Sequence, residues 1–108
     1  MKLAAVFANE PNVVVEWGMR YGNPSIAEAI DRLTAQGCDR ILSVPLYPQY
    51  SATTTATAND QLFRALMKLR NQPAVRTVPP YYDDPAYIEA LAASIERHLA
   101  ALDFEPEV

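Results

Sequence analysis

Three short runs rich in β-branched residues alternate with three amphipathic stretches along this chain of 108 residues. The runs are VVVEW (residues 13–17), DRILSVPL (residues 39–46) and AVRTV (residues 74–78), and their composition is typical of strands. Strands that alternate with helices across short connections pair in parallel, through right-handed crossovers. The alternation therefore predicts an α/β fold, with an open parallel sheet and flanking helices. Glu16 and Arg76 interrupt the first and third runs, so we expect the second strand to lie deepest.

The first two amphipathic stretches carry helix boundary signals. In NPSIAEAIDRLTAQG (residues 23–37), Asn23 is expected to cap the helix, Pro24 suits its first turn and Gly37 suits its exit. A second helix of about 14 residues is expected to end before Pro73. Its apolar positions are Leu62, Phe63, Leu66, Met67 and Leu69.

The third stretch, DDPAYIEALAASIERHLAAL (residues 83–102), is expected to begin at Asp83 or Asp84, with Pro85 in the first turn. Its spacing predicts a buried stripe of six residues. They are Ile88, Leu91, Ala92, Ile95, Leu99 and Leu102. LAAVFA, near the beginning of the chain, has the composition of the tail of a helix that starts further upstream.

Length, charge and cysteine content narrow the class of protein. A chain of this length fits a single domain, residues 1–108, and half of its residues are hydrophobic, as in globular proteins. The net charge of −4 makes nucleic acid and anionic membranes poor default partners. Cys38 is the only cysteine, so neither an internal disulfide nor a paired-cysteine metal site can form. Without a signal-peptide or membrane-spanning pattern, we expect a cytoplasmic protein.

An unusual cluster of side chains follows each predicted strand. MRYG (residues 19–22) follows the first, YPQYS (residues 47–51) and a run of threonines follow the second, and PPYY (residues 79–82) follows the third. The carboxyl ends of parallel strands share one edge of the sheet, and that edge is where open α/β sheets bind ligands. The three clusters are therefore expected to form one wall of a cleft.

The chemistry of this wall indicates the class of ligand. Tyrosines offer flat apolar faces with polar tips, which suit a large planar molecule. Arg20 can pair with a carboxylate or stack on a ring. The hydroxyls of Ser51, Thr53, Thr54 and Thr55 lead into a helix N-terminus, which favours an anion. The interpretation is a flat aromatic ligand that carries carboxylates.

Each of these features also has a structural explanation. The hydroxyl run can serve only to cap its helix, Arg20 can be a surface residue, and the tyrosines can cover the edge of a core. Asp83 and Asp84 are better explained as caps than as catalytic carboxylates. The chain lacks a glycine-rich phosphate loop, and its one histidine, His98, has no partners at metal-ligand or catalytic-triad spacing. Only the coincidence of three clusters on one edge favours a binding site.

Two segments resemble the bacterial protoporphyrin ferrochelatases, the enzymes that insert ferrous iron into protoporphyrin to make haem. They are GMRYGNPSIAEAI (residues 18–30) and PLYPQYSATTT (residues 45–55), and VPPYYDDPAYI (residues 78–88) continues the match. The resemblance covers nearly the whole chain and implies a chelatase-like, flavodoxin-like arrangement. It also implies that the chain is part of the first domain, about a third of a full-length member. The family's opening strand, expected between the first two strands of this chain, and its second domain would then lie outside it.

The resemblance assigns a porphyrin-binding role to eight residues. They are Arg20, Tyr21, Tyr47, Gln49, Tyr50, Ser51, Thr53 and Tyr81. It places neither a catalytic residue nor a metal ligand in this chain, because the family's catalytic histidine and its acidic partner belong to the second domain. Fe²⁺ would be a substrate. Ala52 replaces the cysteine that some relatives use toward an iron–sulfur cluster, so a cluster and other cofactors are not expected.

Several alternatives stay open from the sequence. A cobalt or nickel chelatase of a related tetrapyrrole pathway would share the architecture, and a non-enzymatic tetrapyrrole- or anion-binding module would need no second domain. A third alternative is a chain without ligand affinity. Since a sheet that lacks one strand exposes edges and apolar surface, we also expect a homodimer or a strand-exchanged form.

Overall fold

The computed structural model describes residues 2–107, which form two compact units that meet in sequence between Val78 and Pro79. In chain order, the elements are α1 (Lys2–Val6), α2 (Ile26–Ala35), β1 (Arg40–Ser43), a π-helical turn (Ala52–Ala56), α3 (Thr57–Met67), β2 (Ala74–Thr77) and α4 (Pro85–Ala100). The first unit contains every element up to β2, and the second contains α4. The helix expected in the opening segment is confirmed as α1.

β1 and β2 pair in parallel, which confirms the predicted α/β class. Arg40 lies opposite Ala74 and Ser43 opposite Thr77. Outside the ladder itself, the N–H of Ala74 donates to the Asp39 carbonyl (2.8 Å) and that of Val78 to the Ser43 carbonyl (3.1 Å). Because the strands are parallel, the loops that follow them leave from the same edge of the sheet.

The prediction of a strand at residues 13–17 is wrong. The segment has no regular secondary structure, and among residues 2–107 the sheet consists of β1 and β2 alone. A groove of about 570 Å³ lies between the start of this segment and the amino end of β1, lined by Pro11, Asn12 and Val14 on one side and by residues 36–40 on the other. β-Branched residues favour an extended backbone, but a strand also needs a hydrogen-bonded neighbour, and this segment has none.

The core of the first unit lies where α2, α3 and β1 meet. Ile30 of α2, Ile41 of β1 and Leu62 of α3 are at most 8% exposed. Ala65 and Leu66 complete the buried cluster, and Ile26, Leu33, Leu69 and Val75 pack against it. Burial of a side chain such as Leu62 stabilises the fold by about 1.5–3 kcal/mol, so these few contacts hold both helices on the sheet.

Ser25, and not Asn23, caps α2. The Glu28 N–H donates to the Ser25 hydroxyl (3.2 Å), and the Ser25 N–H donates to the Glu28 carboxylate (2.6 Å), which makes a reciprocal capping box. These hydrogen bonds lower the pKa of Glu28 below its ordinary value of 4.5, because they favour the ionised carboxylate. Pro24 precedes the helix, after a cis peptide bond, and is not in its first turn. The predicted exit is confirmed, since Gly37 has a φ of +81° just beyond the helix.

α3 begins through a wider turn and ends earlier than its apolar pattern predicts. The π-helical turn precedes it directly and buries the Thr55 side chain. α3 ends at Met67, so Leu69 lies beyond it. At the helix end, the Leu66 carbonyl accepts from the Leu69 N–H (3.0 Å) and from the side-chain amide of Gln72 (2.9 Å).

In the second unit, Asp84 caps α4, which confirms one of the two predicted starts, Asp83 or Asp84. Its carboxylate accepts hydrogen bonds from the N–H groups of Ala86 (2.9 Å) and Tyr87 (3.3 Å), and Pro85 occupies the first position. The predicted burial of the stripe from Ile88 to Leu102 is wrong, because its six residues are exposed and α4 has no buried residue. Among residues 79–107, α4 is the one helix, so this part of the unit offers it no second apolar layer.

None of the helices formed by residues 2–107 has the length and apolar character needed to cross a bilayer.

Candidate functional site

Arg20 lies at the centre of the candidate site. It is half-buried, and its Nε donates to the hydroxyl of Thr57, the first residue of α3 (2.5 Å). The guanidinium carbon lies 4.3 Å from the ring centroid of Tyr21, within the range of a cation–π contact. Among residues 2–107, the structure gives the two terminal nitrogens of Arg20 no hydrogen-bond partner. The guanidinium is therefore fixed at Nε while its outer edge can pair with a carboxylate.

The hydroxyl run forms a network at the start of the π-helical turn. The Ser51 hydroxyl lies 2.6 Å from that of Thr54 and 3.2 Å from that of Thr53. The Ser51 carbonyl accepts from the N–H groups of Thr54 (3.3 Å) and Ala56 (3.2 Å). Ser51 makes no side-chain capping bond, so its hydroxyl bonds to other hydroxyls and not to the helix backbone. Capping by the Ser51 side chain therefore does not explain the run.

The hydrogen bond from Arg20 to Thr57 joins two clusters that are remote in sequence. The two residues are 37 positions apart, and Thr57 directly follows the π-helical turn that begins after Ser51. The loop after the first predicted strand and the loop after β1 thus reach the same end of α3.

The tyrosines of the first unit are largely accessible. Tyr21 is 71% exposed and Tyr50 60%, and Tyr47 is also exposed. Gln49, between the last two, is exposed as well. Tyr50 directly precedes the hydroxyl network, and Tyr21 lies against Arg20. Flat aromatic faces therefore accompany both polar groups, in reach of a ligand.

Tyr81 belongs to the second unit. Its ring meets that of Tyr87 edge to face, with centroids 5.8 Å apart and an interplanar angle of 88°, and its carbonyl accepts from the Asp84 N–H. These contacts fix Tyr81 beside the start of α4. Its expected place on the same wall as Arg20 and Tyr50 stays a prediction.

Residues 2–107 contain no group of three or more His, Cys, Asp or Glu side chains that could hold a metal ion. His98 lies on α4 with Nδ1 3.1 Å from the Ser94 carbonyl, and Cys38 is a half-buried free thiol. Ala52 is exposed at the first position of the π-helical turn.

The sequence patterns do not indicate two features near Arg20. One is Thr57, which anchors the arginine. The other is a partner for Glu16, which the patterns mark only as an interruption of a predicted strand. In the structure, Glu16 forms an ion pair with Arg32 of α2 (2.8 Å). A pattern search cannot find such partners, because nothing local marks residues that meet only in the fold.

Comparison with known proteins matches the whole chain. The family model described as Ferrochelatase matches residues 1–108. Proteins named ferrochelatase from Mesorhizobium japonicum, Agrobacterium fabrum and Bradyrhizobium diazoefficiens are 76%, 67% and 64% identical to this chain. The alignments cover 99%, 98% and 99% of this chain.

The chain spans less than a third of the curated relatives that it matches, namely 30%, 31% and 31% of their lengths. The match does not favour the two other classes considered from the sequence, the cobalt or nickel chelatases and the non-enzymatic binding modules. Together with the parallel strands, the match over residues 1–108 establishes that this chain belongs to the ferrochelatase family.

Proposed function

We propose that this chain forms one wall of the porphyrin cleft in an enzyme that inserts Fe²⁺ into protoporphyrin IX during haem biosynthesis. The enzyme would be a cytoplasmic lyase, with porphyrin and Fe²⁺ as its substrates. The contact between Arg20 and Thr57 is the observation that carries this proposal, since it joins two of the three clusters predicted to line the wall.

The eight proposed site residues would each contact a part of the porphyrin that suits their chemistry. Arg20 would pair with a propionate of the porphyrin through its terminal nitrogens, while Thr57 holds its Nε. The rings of Tyr21, Tyr47 and Tyr50 would cover the face of the macrocycle, and Tyr81 would extend that surface. Polar contacts at the rim would come from Gln49, Ser51 and Thr53.

A preformed wall suits a reaction that requires distortion of the ligand. Bending of a macrocycle exposes its nitrogens to an incoming ion, and contacts elsewhere on the ligand must offset the strain. In this proposal, the chain binds and orients the porphyrin, and the base that removes the pyrrole protons lies in the rest of the family's sequence. The chain by itself would then lack chelatase activity. Ala52 stands where some relatives have a cysteine that they use toward an iron–sulfur cluster. We therefore also propose that this chain holds no such cluster.

Self-association of this chain is part of the proposal. β1 pairs with β2 on one side, and no other strand within residues 2–107 covers its second edge, beside which Leu42 and Val44 are exposed. An uncovered strand edge is a template for pairing with another chain. Light scattering should therefore give a dimeric mass at high protein concentration, and a monomeric mass throughout would contradict this part.

Titration with protoporphyrin IX tests the binding role. Trp17 is the only tryptophan and lies three residues before Arg20, so bound porphyrin should quench its fluorescence. Arg20→Ala should weaken binding by roughly tenfold or more, as expected for loss of a hydrogen bond to a charged group. Arg64→Ala, which removes the same charge from an exposed position of α3, is the matched control. Unchanged Trp17 emission in the original chain would sink the proposal.

A further inference from the structure

The segment that leads to Arg20 is fastened to α2, although it belongs to no strand. Arg32 makes two of the contacts, from Nε to the Glu16 carboxylate (2.8 Å) and from Nη2 to the Trp17 carbonyl (3.2 Å). Gln36, one turn further along, lies with its amide nitrogen 3.5 Å from the other Glu16 oxygen. α2 therefore holds both a side chain and a backbone carbonyl of this segment.

Gly18 and Met19, the next two residues, lie with their backbone close to the backbone of residues 24–26. A Cβ on Gly18 would lie 2.7 Å from the Ile26 Cα and 2.9 Å from the Ser25 carbonyl oxygen, closer than real Cβ atoms come. The Met19 N–H then donates to the Pro24 carbonyl (2.7 Å), and Met19 forms an isolated parallel bridge with Ser25. Four successive residues, from Glu16 to Met19, are thus tied to α2 or to the turn before it.

Arg20 is the residue that follows these four. From the other side, Thr57 of α3 holds its Nε. The position of the guanidinium therefore depends on how the segment lies on α2 as well as on Thr57. The Glu16 and Arg32 side chains are 20% and 40% exposed, so solvent only partly screens their interaction.

We propose that Arg32, paired with Glu16, is a positioning residue that presets Arg20 for a ligand carboxylate; the proposal rests on the porphyrin-binding role given above. Arg32 would act through the backbone of residues 16–19 and would not touch the ligand itself. Preorganisation of a binding group raises affinity, because the group need not be ordered when the ligand arrives.

Two measurements on the 108-residue chain test this inference. The first is the Arg20 Nε–H signal in proton–nitrogen correlation spectra, assigned by its loss in Arg20→Lys, which reports whether the bond to Thr57 forms. The second is affinity for protoporphyrin IX and for its dimethyl ester, which lacks free carboxylates. Arg32→Met should broaden or shift the Arg20 signal and weaken protoporphyrin binding about fivefold, with little effect on the ester.

Three further variants separate positioning from general stability. Arg32→Lys should give an affinity and an Arg20 signal between those of the original chain and of Arg32→Met. Lysine keeps the charge opposite Glu16 but loses the second hydrogen bond, to the Trp17 carbonyl. The double exchange Glu16→Arg with Arg32→Glu should restore affinity and the Arg20 signal in part, because the two charges pair again but the exchanged carboxylate cannot donate to the Trp17 carbonyl. Arg40→Met is the matched control, since its ion pair with Asp39 is exposed and long, at 3.8 Å. Thermal melts of every variant establish that it is folded.

The outcomes distinguish this inference from the function on which it rests. If the original chain does not bind protoporphyrin, the binding role fails, and the Arg20 signal still decides whether Arg32 positions Arg20. If Arg20→Ala weakens binding while Arg32→Met matches Arg40→Met in both measurements, the positioning role is overturned. An equal loss of affinity for the ester and for the free acid would also contradict it, because the effect would not pass through a carboxylate.

Discussion

α2 and α4 are both amphipathic helices with a good N-cap, yet they differ in the burial of their apolar faces. α2 is capped by Ser25 and buries Ala29 and Ile30 against its neighbours. α4 is capped by Asp84 and buries nothing. The comparison shows that local sequence is sufficient to begin a helix, whereas burial of its apolar face requires a second surface. Stability in this chain should therefore be concentrated in the first unit.

The largest expected difference is between two leucine truncations. Leu62→Ala removes a side chain that is 3% exposed, and it should lower the free energy of unfolding by about 2–5 kcal/mol. Leu91→Ala, in α4, removes one that is 45% exposed and should cost less than about 1 kcal/mol. Urea unfolding followed by Trp17 fluorescence reports on the first unit. Equal costs would mean that α4 is buried in solution.

Removal of the N-cap side chains of α2 and α4 should also affect the stability of the first unit differently, by a smaller amount. Ser25→Ala should cost about 1 kcal/mol in the unfolding of the first unit, because it breaks the capping box. Asp84→Ala should lower helicity measured by circular dichroism, while the Trp17 transition stays the same. A shift of that transition in Asp84→Ala would show that α4 and the first unit unfold together.

The smallest expected effect is a pH dependence confined to α2. The folded-state pKa of Glu28 is lowered, because its carboxylate accepts hydrogen bonds from Ser25. The carboxylate therefore contributes stability above its ordinary pKa of 4.5, and this contribution is lost as the pH falls through the lower folded-state value. Glu28→Gln should flatten this part of the stability profile as the pH falls below the ordinary pKa of 4.5, measured by urea unfolding of both proteins at each pH. Superimposable profiles would show that the capping box does not persist in solution.

Local signals predicted much of the fold. The signals that predicted correctly each determine the structure of residues close to them in sequence. They are the β-branched runs of β1 and β2, the aspartate and proline at the start of α4, and Gly37 after α2. The cap of α2 was mistaken although its signal was present, since Glu28 follows Ser25 by three residues, as a capping box requires.

The errors concern features that depend on distant partners. Within residues 2–107, the segment at 13–17 has the composition of a strand but no neighbouring strand, and the stripe on α4 has the right spacing but no buried residue. At the site, the sequence indicated Arg20 and the hydroxyl run as separate clusters. Thr57, which joins them, gave no signal because the contact spans 37 positions.

The backbone contact at Gly18 has a consequence for how this segment can vary over evolution. The first carbon of any side chain there would meet the backbone of α2, so no change of rotamer could make room for it. The neighbouring side chains of Trp17 and Met19 are exposed and carry no such backbone restriction. The fold itself thus restricts position 18 to glycine, independently of any ligand.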